Sequence, residues 1–202
     1  MVKRDGEVLL VIDVQNDFCP GGRLAVPGGH EVVPVINRLA RDFRHVVLTQ
    51  DWHPEGHSSF ASSHPGKTPF STVAMPYGPQ TLWPDHCTWD SDGARFHAEL
   101  DIPHAGLIIR KGFRPEIDSY SAFFENDHKT PTGLLGYLRE RQLTRVTCVG
   151  LAFDYCVRYS AEDARSHGFD TIVVEEASRA IDLNGTADAT RASFRDRGIK
   201  LT

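Results

Sequence analysis

The chain predicts an α/β protein: a Rossmann-like three-layer sandwich with a mostly parallel six-stranded sheet, helices on both faces and a long insertion after the second strand. Three observations predict it. Short apolar runs of buried-strand type recur along the chain, as in Val8–Ile12 and Arg145–Val149. Helical stretches separate them, and this alternation implies right-handed crossovers and a sheet covered on both sides. One stretch, residues 51 to 104, breaks the alternation; it is rich in His, Pro, Gly and Ser and has little periodicity. A loop region of that length is usually functional or disordered. Three tryptophans within it argue against disorder.

The elements follow in order. Val8–Ile12 is the first strand. Gly28-Gly29 precedes a helix with Val32, Val35, Ile36, Leu39 and Phe43 at helical spacing, and Pro34 sits harmlessly in its first turn. His45–Thr49 is the second strand, running into Gln50-Asp51. Gly106–Ile109 is the third, Thr132–Leu143 a helix, and Arg145–Val149 the fourth strand. Asp154 reads as the N-cap of a helix carrying Val157, Ala161, Ala164 and His167, stopped by Gly168. Thr171–Val174 is the fifth strand, 186–197 a charged amphipathic helix, and Ile199–Thr202 a short sixth strand. No repeat or linker divides the pattern, so residues 1–202 read as one domain.

Bulk properties narrow the function. The 202 residues carry a net charge of -5, with 40% hydrophobic and 24% charged residues. That is ordinary for a globular domain with a sizeable core and gives no nucleic-acid footprint. No apolar run approaches the roughly 20 residues of a membrane span, and the polar start lacks the apolar core of a signal peptide. The four cysteines have no Cys-x-x-Cys spacing and read as thiols. The expectation is a cytoplasmic protein, monomeric or homo-oligomeric, whose partner is a small molecule rather than a nucleic acid or a membrane.

Chemistry gathers at strand ends. Asp13 follows the first strand, Lys111 the third and Cys156 the fourth. In an open parallel sheet those carboxyl ends share the edge where ligands bind. A thiol nucleophile needs an acid–base partner and a cation, and these three supply them. In the first turn of a helix, Cys156 would gain free backbone N–H groups that favour a thiolate, and the same groups can receive an oxyanion. Its thiol pKa is therefore expected to fall. Each residue alone has a plainer reading: a turn aspartate, a loop lysine, a buried cysteine. Cys148, in mid-strand, takes that plainer reading.

A second constellation is Asp51-Trp52-His53 with Trp83-Pro84-Asp85-His86. Residues 51 and 53 project to one side of an extended chain. Two imidazoles and a carboxylate with open positions suit Zn, Fe or Mn. Among ten histidines chance proximity is a real alternative. His57, four residues beyond His53, is placed to be an extra or alternative ligand and stays open, whereas His64, His97, His104 and His128 read as mostly solvated loop residues. The third group is aromatic. Phe18, Trp83 and Tyr120 lie in irregular segments near the same edge and suit a planar ligand.

Several motifs together resemble a known family. Val11-Ile12-Asp13-Val14-Gln15-Asn16-Asp17-Phe18-Cys19-Pro20-Gly21-Gly22 looks like the opening motif of the bacterial nicotinamidase/pyrazinamidase group of isochorismatase-like cysteine hydrolases. Thr49–Pro54, Trp83–Cys87, Lys111-Gly112, Asp118–Phe123 and Gly150–Val157 match in order, so the resemblance spans nearly the whole chain. Phe153 stands where that family usually carries threonine. The resemblance implies hydrolysis of nicotinamide to nicotinate and ammonia, and of pyrazinamide to pyrazinoate, through a cysteine thioester, feeding NAD salvage. Asp13, Lys111 and Cys156 would be catalytic, with backbone N–H groups of Ala152 and Cys156 as the oxyanion hole. Phe18, Leu24, Trp83 and Tyr120 would hold the ring. Asp51, His53 and His86 would bind one divalent transition metal ion, zinc first, with iron or manganese as alternatives. A cis Leu151–Ala152 peptide is also implied. Competing readings are a related hydrolase acting on another amide or a vinyl ether, an Fe(II) oxygenase, and a non-catalytic binding protein.

Overall fold

The computed structural model describes residues 4–202. Its main sheet contains β1 (Arg4–Ile12), β2 (Phe43–Asp51), β5 (Leu107–Lys111), β6 (Arg145–Leu151), β7 (Asp170–Arg179) and β8 (Lys200–Leu201). Their spatial order is β5-β2-β1-β6-β7-β8, and every pairing is parallel. The helices are α1 (Val32–Ala40), α2 (Leu134–Glu140), α3 (Arg158–Ser166) and α4 (Thr186–Arg197).

Alternation along β1 builds two cores. Leu9 and Val11 pack with Val32, Val33 and Ile36 of α1 on one face. Val8, Leu10 and Ile12 pack with Leu134, Leu138, Ala161, Ala164 and Phe194 of the other three helices on the opposite face. Such double burial explains why the strands read as continuous apolar runs. Cys148 lies in the second core, where burial pushes its thiol up to about 12. No helix among the described residues is long and apolar enough to cross a membrane.

The strand order contains a reversal. From β1 the chain builds outward through β2 to β5, then returns to place β6 on the other side of β1. A crevice for ligands forms at such a reversal, beyond the carboxyl ends of the strands. Here those ends belong to β1 and β6, and Ile12 is the register partner of Gly150. Gly150 has φ +116, and a Cβ there would lie 2.1 Å from the Ile12 carbonyl oxygen. Glycine thus lets two central strands approach closely just before the chain turns toward Cys156.

Three expectations need correction. Phe43, read as the last apolar position of the first helix, opens β2 instead, because α1 ends at Ala40 and the chain turns at 41–42. Residues 51 to 104 are not wholly irregular: β3 (Thr72–Met75) and β4 (Gly78–Thr81) form an antiparallel hairpin. Its four-residue, half-exposed strands with Gly78 and Pro79 carry too little apolar alternation to be seen in the sequence. Nor does Asp154 cap its own helix. Phe153–Val157 form a π-helical turn, with the Val157 N–H donating to the Ala152 carbonyl. The Asp154 carboxylate turns away and accepts hydrogen bonds from Ile181 N–H (3.0 Å), Asp182 N–H (2.8 Å) and the Thr186 hydroxyl (2.6 Å). It anchors the loop between β7 and α4 instead.

Candidate active site

Strand register brings the acid, the amine and the thiol together. Asp51 of β2 and Lys111 of β5 are register partners, so their side chains leave the sheet side by side. Lys111 is fully buried; its Nζ lies 2.8 Å from Asp13 Oδ2 and 3.5 Å from Cys156 Sγ. It also bonds the Asp51 carboxylate and donates to the Ser119 carbonyl at 2.9 Å. Asp13 has φ +49, and the Thr49 hydroxyl donates to its Oδ1 at 2.6 Å. The carboxylates of Asp13 and Asp51 and the Cys156 sulfur lie within 4.8 Å of one another. Asp13 Oδ2, paired with the Lys111 ammonium, is thus the carboxylate oxygen on the side of the thiol.

Burial decides the resting proton positions. Desolvation pushes the Cys156 thiol well above its ordinary value; Lys111 opposes this, while the carboxylates of Asp13 and Asp51 add to it. The expected depression of this thiol is therefore corrected. The π-helical turn does supply a helix start, but the thiol is buried and faces two carboxylates against one ammonium. Burial likewise raises Asp13, against the pull of Lys111. It would lower Lys111, yet the facing carboxylates of Asp13 and Asp51 hold that ammonium well above its usual range. The set therefore rests with a neutral thiol and a charged lysine.

Asp51 faces two ways. Its other oxygen, Oδ2, lies 3.6 Å from His53 Nε2 and 3.7 Å from His86 Nε2. All three residues are buried. His53 Nδ1 bonds the Gly112 carbonyl at 2.8 Å, and His86 Nδ1 bonds the Pro84 carbonyl at 2.7 Å. A carbonyl only accepts, so each Nδ1 carries the proton and each Nε2 presents a lone pair toward the carboxylate. Metal-binding imidazoles are oriented in this way, by a hydrogen bond from the ring nitrogen that does not face the ion. Gly112 serves it twice: its φ is +65, and a Cβ would sit 2.4 Å from the His53 ring. The residues fit a divalent ion with one anionic and two neutral donors. His57 does not fit as a further ligand. Its Nε2 donates toward the carbonyls of Arg114 (2.9 Å) and Ile117 (3.2 Å), and its Nδ1 meets the Ser59 hydroxyl (2.8 Å). It is a buried loop pin, as is half-buried His64, whose Nε2 bonds the Ser58 carbonyl at 2.7 Å.

Between the two sets lies a small cavity. Phe18, Leu24, Trp83 and Tyr120 line it together with Asp51, His86, Ala152 and Cys156. The Leu151–Ala152 peptide is cis. Phe153 faces elsewhere: it is buried in the helix-side core with its ring edge-on to Phe194 at 5.7 Å. Phe153 is thus a core residue and does not line the cavity. The sequence reading missed three lining residues: Asp118, Tyr155 and Ile181. Tyr155 directly precedes Cys156 and was open to notice. Ile181 is brought in by its bond to Asp154, some 27 residues away in sequence. Asp17 was also missed. Its buried carboxylate accepts from Arg23 N–H (3.0 Å) and Cys87 N–H (2.7 Å), tying the Phe18–Leu24 wall to the segment bearing His86.

Comparison with known proteins agrees with this geometry. The isochorismatase domain matches residues 7–202. The nicotinamidase of Acinetobacter baylyi is 54% identical over 178 residues, covering 88% of this chain and 83% of that protein. The structure of an Acinetobacter baumanii nicotinamidase/pyrazinamidase superposes with a TM-score of 0.97 at 52% identity, covering 98% of this chain and 96% of the other. The pyrazinamidase of Pyrococcus horikoshii, solved in complex with zinc, superposes with a TM-score of 0.80 at 33% identity, covering 98% of each chain. The chain belongs to the isochorismatase family, in its nicotinamidase branch.

Proposed function

We propose that this protein hydrolyses nicotinamide to nicotinate and ammonia, and pyrazinamide to pyrazinoate, acting as one domain in pyridine nucleotide salvage in the cytoplasm. One observation carries the reading. A buried Asp13–Lys111–Cys156 cluster opens on an aromatic cavity whose other wall holds Asp51 and His86. A small planar amide lying between these walls meets the thiol at one end and a donor set for its ring nitrogen at the other.

In the proposed reaction Asp13 takes the Cys156 proton as the sulfur attacks the carboxamide carbon. Coupling the two events suits a thiol that burial keeps protonated at rest. A new C–S bond forms, and the carbonyl oxygen gathers negative charge, held by backbone N–H groups of Ala152 and Cys156. Lys111 offsets the charge on Asp13 and sulfur throughout. As the C–N bond breaks, Asp13 returns the proton to the departing ammonia. Water then attacks the thioester with Asp13 as base, the C–S bond breaks, and the carboxylate product leaves with the thiol restored. Asp51, His53 and His86 would hold a divalent ion, zinc in our reading. Such an ion supplies Lewis-acid binding to a pyridine or pyrazine nitrogen. Phe18, Leu24, Trp83 and Tyr120 orient the ring so that its amide faces sulfur.

The test is ammonia release over a panel of amides by the wild type and by Cys156→Ala. The wild type should favour nicotinamide and pyrazinamide. Cys156→Ala should lose at least about a thousandfold in kcat while still binding the ring, since the cluster works as a unit. Substantial turnover by that variant would sink the thioester mechanism.

A further inference from the structure

The β3–β4 hairpin stands apart from the main sheet, and a two-stranded hairpin alone is marginal in water. One of its side chains is nonetheless fully buried and polar: Gln80, 1% exposed. Its Nε2 faces three oxygens: the Thr81 carbonyl (2.7 Å), Asp118 Oδ2 (2.8 Å) and the Tyr120 hydroxyl (2.9 Å). Its Oε1 faces two donors, Asn126 Nδ2 (3.1 Å) and the Tyr77 hydroxyl (3.3 Å). The amide can stand only one way round, because a carbonyl and a carboxylate cannot donate to an oxygen. Asn126 completes the bracket. Its Oδ1 accepts the Tyr120 N–H at 2.9 Å, and its own N–H donates to the Asp118 carbonyl at 2.8 Å. The Tyr120 hydroxyl also accepts from Trp83 Nε1 at 3.2 Å.

Asp118, Tyr120 and Trp83 all line the cavity, whereas Gln80 does not. A single buried amide therefore ties the polar edge of two ring-binding walls to the hairpin. We propose that Gln80 is a positioning residue for ring recognition, setting the Tyr120 hydroxyl and the Asp118 carboxylate from behind the pocket wall. The proposal rests on the functional reading above. Gln80 touches none of Asp13, Lys111 and Cys156 by any of these bonds, so it governs binding rather than chemistry.

The consequence is a split between KM and kcat. Gln80→Leu should raise KM for nicotinamide roughly tenfold, about the worth of one buried hydrogen bond. Its kcat should stay within about threefold, and iodoacetamide should alkylate Cys156 at the wild-type rate. Gln80→Glu has nearly the same shape but sets a carboxylate against Asp118 and the Thr81 carbonyl. It should raise KM further than Gln80→Leu does. Tyr77→Phe, which takes from Gln80 the longest of its five bonds, should leave KM near the wild-type value. If Gln80→Leu fails to fold, the isosteric Gln80→Glu decides, and a wild-type KM there overturns the proposal. A fall in kcat and in alkylation alongside the change in KM would make Gln80 a general fold residue, which also overturns it. A wild type inert toward nicotinamide would remove the functional reading and this one with it. An active wild type with unshifted KM in both variants removes this one alone.

Discussion

Asp51 is the residue on which the two halves of the site meet. One oxygen holds Lys111 and the other faces His53 and His86. Burial would raise this carboxyl, but the Lys111 ammonium beside it holds it well below its usual range. It stays anionic and serves both sets. Lys111 in turn gathers Asp13, Asp51 and Cys156 in one buried cluster. Groups that act as one unit lose activity non-additively. Asp13→Asn and Lys111→Ala should each cost at least about a hundredfold in kcat, and neither should add much in a Cys156→Ala background; steady-state kinetics of the singles and doubles checks this. Near-normal activity in Asp13→Asn would remove it as the proton carrier. The raised thiol makes a second expectation. A thiol whose pKa lies above its ordinary value is mostly protonated at neutral pH, and its thiolate fraction grows as pH rises. In chelator-treated protein, iodoacetamide alkylation of Cys156 should keep rising past pH about 8.5, the ordinary thiol value. A plateau near neutrality would show that the lysine outweighs burial.

At the scale of elements, the π-helical turn of 153–157 does more than carry the nucleophile. Phe153 roots it in the helix-side core, Cys156 faces the cavity, and Asp154 reaches the loop that supplies Ile181. Three hydrogen bonds converge on one buried carboxylate, two from backbone N–H groups and one from Thr186. Asp154→Ala would leave the half-buried Ile181 N–H and the Asp182 N–H without their carboxylate partner. Such losses cost about 1–3 kcal/mol each before relaxation. Thermal unfolding should show a loss of about 2–4 kcal/mol, and KM should rise because Ile181 is no longer held against the pocket. Asp154→Asn keeps one acceptor and should lose about half as much. A variant as stable as the wild type, with unchanged KM, would mean that the loop is held by packing alone.

Over the whole molecule, the site is a product of strand order. Asp13 and Cys156 come from the two strands at the reversal, Lys111 from the far edge strand, and His86 from the insertion after β2. Because the donor set is preformed and buried, metal removal should be local in effect. Chelation should raise KM for nicotinamide and erase its preference over benzamide, which lacks the ring nitrogen, while far-ultraviolet circular dichroism stays unchanged. His53→Ala and His86→Ala should lower bound metal per chain as measured by mass spectrometry. His57→Ala should leave metal content intact, since both of its nitrogens are already engaged. Retained preference over benzamide in metal-free protein would demote the three residues to a structural role.

The amino-acid sequence by itself determined the layered α/β class, the positions of the six main-sheet strands and the three strand-end groups. These are local properties: apolar runs mark doubly buried strands, and a polar residue ending such a run projects at the sheet edge. The Asp-x-His spacing and the aromatic positions were legible for the same reason. Tertiary structure alone decided the rest. The sharing of Asp51 follows from the β2–β5 register, which pairs it with a residue 60 positions away. The direction of the Cys156 shift follows from burial against two carboxylates, which outweighs the helix start that the local sequence suggests. His57 is excluded as a ligand by carbonyls of Arg114 and Ile117, and Asp154 is diverted from capping by backbone donors at 181 and 182. Gln80 and Asp118 carried no periodic signal, because each acquires its meaning only from partners brought together by the packing of a hairpin onto a loop. Short-range pattern reports which face a residue presents; only long-range packing reports what meets it there.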